Sequence, residues 1–141
     1  MKFKKPLTVI LLILLMFFQS ISGIFGGIGL IIDPSGETLQ IPIEWLADSP
    51  FNNYLIPGVI LFSFLGVIPF FVLFGLWRKR FWAWQGSLFI GVILIIWIIV
   101  EIIIIGYQHN PPLQFIYGLI GLLIITFTLI PNVKVYFKPP D

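Results

Sequence analysis

The stretch Phe89–Ile105, FIGVILIIWIIVEIIII, carries one charged side chain, Glu101, in an otherwise unbroken apolar run. It is too long for a buried strand, and it lacks the polar face that a surface helix of a soluble protein keeps toward water. Extended to Gly86–Tyr107 it reaches the roughly 20 residues that an α-helix needs to cross the hydrocarbon of a bilayer. A transmembrane helix is expected here, and the rest of the chain is read outward from it.

Three further segments have the same character: Leu7–Ile32, Leu55–Trp77 and Leu113–Ile130, the last being the shortest. Composition agrees. Of 141 residues, 59% are hydrophobic and 10% are charged, against about 25% charged in an ordinary soluble domain. Mean hydropathy is +1.08. A chain this short cannot hide so much apolar surface in its own core, so lipid must take the place of water. The fold class expected is all-α: a single membrane domain over residues 1–141, folded as a polytopic four-helix transmembrane bundle.

The basic residues set the orientation. Lys2, Lys4 and Lys5 precede the first span, Arg78, Lys79 and Arg80 separate the second from the third, and Lys134 and Lys138 follow the fourth. With four spans all eight fall on one side, which the positive-inside rule makes cytoplasmic. Asp33, Glu37, Glu44 and Asp48 fall on the other. Both termini are therefore expected inside and the 33–54 loop outside. Trp77, Trp82 and Trp84 bracket the basic loop as interfacial indoles do. A competing reading takes Met1–Ser22 as a secretory signal cleaved near Ser20-Ile21-Ser22. Against it, the apolar run continues through Ile32, long enough to span.

Several chemistries are excluded. The chain has no cysteine and one histidine, which leaves no thiol redox chemistry and no self-contained catalytic metal site. No phosphate loop, HExxH or nucleophile elbow is present, nor any cofactor motif. A net charge of +2 in short flanking clusters does not make a nucleic-acid surface.

Within the spans, Gly23 and Gly27 form a GxxxG and Ser22 with Gly26 a second small pair, which let helix backbones approach. Packing inside the bundle and pairing with a second copy are the two readings of that stripe. Pro57 fits a first helical turn, whereas Pro69 is interior and should free the carbonyl of Leu65 and kink the helix.

Glu101 sits six positions before Tyr107, about 9 Å below the outer end at roughly 1.5 Å per residue. An acid at mid-membrane costs about 2.5–3.5 kcal/mol, less toward the edge, so it should face protein or water. Ser87, Leu94, Trp97, Glu101 and Gln108 share its stripe. The fourth span has its own stripe of Gln114, Tyr117, Gly118, Gly121 and Thr128. A polar layer in the outer half is the candidate site: Glu101, Tyr117, Ser63 and Gln19, with Gln108 and His109 above. No lysine or arginine lies at that depth, so the carboxyl is expected to be protonated or hydrogen-bonded to Tyr117, Ser63, Gln19 or water. Two readings of Glu101 stay open, a proton, cation or amphiphile contact and a carboxyl that locks the bundle.

The 33–54 loop is long for a helix connection. Asp33-Pro34-Ser35-Gly36 should turn, Thr38–Ile41 should run extended, and Pro42 should open a short helix through Ala47 with Glu44 near its start. Ile43, Trp45, Leu46, Phe51 and Tyr54 should hold the loop on the bundle or the membrane surface. The stretch from Asp33-Pro34-Ser35-Gly36 to Ser49-Pro50-Phe51-Asn52-Asn53-Tyr54-Leu55-Ile56-Pro57-Gly58 resembles small bacterial four-span membrane proteins described only as hypothetical. The resemblance covers the first hairpin, about a quarter of the chain. It implies the bacterial plasma membrane and carries over no residue roles.

The functional expectation is a non-enzymatic accessory protein whose partners are membrane lipids, a membrane protein or a second copy, and not nucleic acid. One alternative is a small ion-coupled transporter using Glu101. The small four-span exporters, however, place their acid in the first helix, and the one-sided charge argues against dual-topology assembly. The other alternative is a lipid- or quinone-handling enzyme, for which only Glu101 and His109 qualify as acid or base.

Overall fold

A computed structural model describes residues 5–108 and 112–139, and all regular structure among them is helical. The order is α1 (Leu7–Ile32), α2 (Leu55–Phe62), α3 (Ile68–Trp77), α4 (Phe81–Ile105), α5 (Leu113–Leu129) and α6 (Pro131–Phe137). A π-helical turn, Ser63–Val67, joins α2 to α3, so the second apolar segment is one long helix with a wide turn inside it. Packing runs in a cycle: α1 lies against α2, α3 and α5, and α4 lies against α3 and α5.

Among the described residues three helices are long and apolar enough to cross a membrane: Leu7–Ile32, Leu55–Trp77 and Phe81–Ile105. A fourth crossing requires α5 and α6 together, which bend by 68°. The reason is length. The 17 residues of α5 give about 26 Å at roughly 1.5 Å each, short of a hydrocarbon core of about 30 Å. The outward faces are aliphatic and aromatic, with Ile103 76%, Phe25 71% and Phe115 60% exposed. Exposed apolar surface on this scale is far beyond what a soluble monomer carries, so this is a membrane protein.

The first, second and fourth segments keep their expected limits to within a residue. The third starts earlier, at Phe81, because the chain turns tightly at Arg78–Arg80 and enters α4 at once. Arg80 N–H reaches Gly75 O at 2.9 Å, with Lys79 at a left-handed φ of 58° between them. Trp77 and Trp82 are exposed, but Trp84 is buried. Its indole donates to Thr128 O at 2.7 Å, so it joins α4 to α5 rather than marking the interface.

The α1 seam is built on glycine. A Cβ at Gly23 would stand 1.9 Å from Leu65 O, and one at Gly66 2.7 Å from Ile24 N. The two backbones therefore touch, and the Gly23–Gly27 stripe serves packing inside this chain. Pro69 has no N–H to give to Leu65 O. Gln19 Nε2 donates to that carbonyl at 3.1 Å, and Ser20 Oγ donates to Gly66 O at 3.1 Å. Ser20 lies inside an unbroken helix.

The 33–54 loop folds against one end of the bundle. The Asp33 carboxylate accepts from the Ser35 and Thr38 hydroxyls, both at 2.6 Å, and from the Thr38 N–H at 2.9 Å. Those donors hold its pKa down to about 2. The expected turn at Asp33–Gly36 forms, with Gly36 N–H on Asp33 O at 3.1 Å. The expected extended run at Thr38–Ile41 does not: the chain turns again, with Gln40 N–H on Glu37 O at 2.9 Å and Ile41 N–H on Gly36 O at 2.8 Å. The helix after Pro42 is a 3₁₀ turn, Ile43–Leu46. Leu30, Leu46 and Tyr54 make a small buried cluster beneath it, and Tyr54 Oη donates to Pro42 O at 2.6 Å. Burial, aided by the nearby charges of Glu101 and Glu44, pushes the Tyr54 pKa up to about 12.

Candidate functional site

The polar residues converge where α4 hands over to α5. α4 stops at Gly106, whose positive φ of 74° suits glycine and turns the chain out of the helix. Gln114, in the first turn of α5 and only 3% exposed, then reaches back. Its Oε1 accepts from Gln108 N–H at 2.7 Å and its Nε2 donates to Gly106 O at 3.1 Å. Gln108 Nε2 donates to Ile105 O at 2.8 Å. Two of the carbonyls that an α-helix leaves unpaired at its end, Ile105 O and Gly106 O, are thus met by glutamine side chains.

Glu101 lies one turn below, half-buried. Its carboxyl lies near the side chains of Gln114 and Trp97. Both can only donate to a carboxylate, Gln114 through its amide N–H and Trp97 through its indole. On the outer face of the same seam is an apolar groove of about 350 Å³ lined by Ile95, Ile102, Phe115 and Leu119, with Gln114 at its upper end.

The expected layer is therefore divided. Glu101 and Gln108 come together, joined by Gln114 and Trp97. Gln19 is on the other seam, on Leu65 O, and Ser63 opens the π turn there. Tyr117 turns to α1, its ring stacked on Phe18 at 6.0 Å. His109 lies outside the described residues. Among the described residues no group of three His, Cys, Asp or Glu could hold a metal. The residue that organises the cluster, Gln114, had a signal in the sequence: it opens the fourth span six positions after Gln108, close enough for a side chain to close the turn. Ser20 carried no comparable signal.

The second polar group is deeper. Gln19 is 1% exposed, and its Oε1 has no hydrogen-bond partner among the described residues. Ser87 Oγ donates to Ala83 O at 2.9 Å and Thr128 Oγ1 to Ile124 O at 2.6 Å, each within its own helix.

No protein-family model matches the chain, and neither a curated protein nor a solved structure proves similar to it.

Proposed function

We propose that this chain is a non-catalytic membrane protein that binds lipid or a membrane partner. It crosses the bacterial plasma membrane four times, with both termini and the 78–80 turn in the cytoplasm and the 33–54 loop outside. The observation that carries the functional reading is where the buried polar side chains point. Gln19, Ser20, Ser87, Gln114, Thr128 and the Trp84 indole each donate to a main-chain carbonyl of their own chain. Polar groups in lipid are costly unless paired. Here they bond the chain's own backbone, within a helix or between helices, and are not gathered around a shared pathway. The one-sided placement of the basic residues supports the orientation.

A second reading, an ion-coupled carrier, is favoured by Glu101 alone, the one acidic side chain inside a described span. Purification from its native membrane separates the two. A protein or lipid that co-purifies at fixed stoichiometry supports the binding reading. Proton- or cation-driven flux in proteoliposomes that Glu101→Gln abolishes, with folding intact, would overturn it.

A further inference from the structure

At the end of the bundle opposite the 33–54 loop, four cationic side chains lie over aromatic rings. Lys5 Nζ is 4.8 Å from the centre of the Trp77 ring, Arg78 4.9 Å from Phe74, Lys79 4.7 Å from Tyr136 and Lys134 5.3 Å from Trp84. These residues come from α1, α3, α4 and α6 or their flanks, so the fold assembles the group. The bend at Ile130 is what brings α6 across this end. It seats Val133 and Phe137 in the core, and Thr8 Oγ1 donates to Asn132 Oδ1 at 3.2 Å. Among the described residues every carboxylate belongs to the 33–54 loop or to Glu101.

Two observations say what kind of partner fits. Trp77 and Trp82 project outward at the level of the cations, 65% and 50% exposed, as does Val135 at 68%. Exposed indoles and an exposed valine beside cations match the headgroup and acyl boundary of a bilayer, and not an aqueous acidic protein. The second is backbone strain. Lys79 occupies a left-handed position that glycine ordinarily takes at a helix end. A lysine there opposes the local backbone preference, and strained positions of this kind are held where a side chain has work to do.

We propose that Lys5, Arg78, Lys79 and Lys134 form a binding collar for the phosphates of anionic phospholipids. The aromatic faces beneath hold the cations in place and leave N–H donors to meet phosphate oxygens. This rests on the lipid-binding reading above and names the lipid class. The α6 bend is then part of the site, because it carries Lys134 and Tyr136 into it.

The test uses the full chain in nanodiscs of equimolar phosphatidylglycerol and phosphatidylcholine, with retained lipids counted by native mass spectrometry. Both leaflets are alike, so orientation does not enter. Enrichment of phosphatidylglycerol is expected. It should fall about fivefold for each cation removed, from the roughly 1 kcal/mol that one Lys or Arg contributes near an anionic surface. Lys79→Gly is the telling variant. It relieves the left-handed strain, so unfolding in a neutral detergent should be little changed while enrichment drops. Lys134→Gln should act in the same direction. Equal retention of the two lipids by the wild-type chain would overturn the proposal, as would loss of the bound lipid to added inorganic phosphate, or binding of polyglutamate without lipid preference. A protein partner found in the native purification would leave the binding reading standing even if this collar failed.

Discussion

The seam between α1 and the second helix and the seam between α4 and α5 both contain glycines, yet they are built differently. At the first, backbone meets backbone. A Cβ on Gly23 would stand 1.9 Å from the carbonyl oxygen of Leu65 and 2.3 Å from its carbon. At the second, side chains come nearest: a Cβ on Gly91 would stand 2.6 Å from Ile125 Cγ1 and 3.3 Å from Gly121 O, whereas one on Gly118 would meet only Ile98 Cγ2, at 3.8 Å, which is ordinary contact. The polar groups follow the same division. Those of the first seam are deep and donate to Leu65 O, which Pro69 cannot serve, and to Gly66 O, whereas those of the second are at the helix ends. The lesson is that a glycine or a glutamine in a membrane helix has no fixed meaning: the distance to the neighbouring backbone decides it.

Single substitutions test that contrast. Gly23→Ala should have the largest effect, a loss of about 3 kcal/mol or more, because α1 must move off the π turn and take Gln19 and Ser20 with it. Unfolding of the purified chain in mixed micelles measures this. A loss below about 1 kcal/mol would mean the backbones are not in contact. Gln19→Leu should come next, at about 1–3 kcal/mol for stripping the donor from Leu65 O. It falls toward the low end because it also removes the unpaired Oε1. An unchanged midpoint would show that this carbonyl has another donor.

On the other seam the effects should be smaller. Glu101→Ala is expected to cost about 1 kcal/mol by removing a polar neighbour of Gln114 and Trp97, while Glu101→Gln, which keeps an acceptor oxygen, should be close to neutral. A large loss from both would give the carboxylate charge itself a structural role. Gly118→Ala should be the smallest and of opposite sign, a gain of about 0.5 kcal/mol, since alanine favours helix over glycine where there is room. A clear loss there would mean that α4 and α5 approach as closely as α1 and the π turn.

Much of this architecture was legible because its cause is one-dimensional. Apolar run length matched the helical stretches Leu7–Ile32 and Leu55–Trp77, and the helix at Leu113–Leu129, which by itself is too short to cross. Pro69 pointed to a released Leu65 carbonyl, and of the stripe on the third span Ser87 and Leu94 are buried while Trp97, Glu101 and Gln108 are half-buried. What hydropathy could not reach was set by partners distant in sequence. Gln19 and Leu65 are 46 positions apart, and nothing local to either says that they meet. The early start of α4 depends on a lysine accepting a left-handed φ. Helix α6 was overlooked because the apolar residues after Pro131, Val133, Val135, Tyr136 and Phe137, span less than two helical turns, a signal too short to separate from a basic tail. The loop was read as partly extended because Thr38–Ile41 alternates, but Asp33 ties Thr38 into a turn and that local bonding prevails.

The central claim is the four-span path with both ends of the chain on one side, and the absence of cysteine makes a direct test clean. Single-cysteine variants Asp48→Cys, Arg80→Cys and Lys138→Cys, probed in intact cells with a membrane-impermeant maleimide, report the side of each segment. Labelling at position 48 alone, with positions 80 and 138 reacting only after the cells are permeabilised, is the expected result. Labelling of position 138 in intact cells would mean that α5 and α6 do not return the chain to the side of the 78–80 turn, and would contradict it.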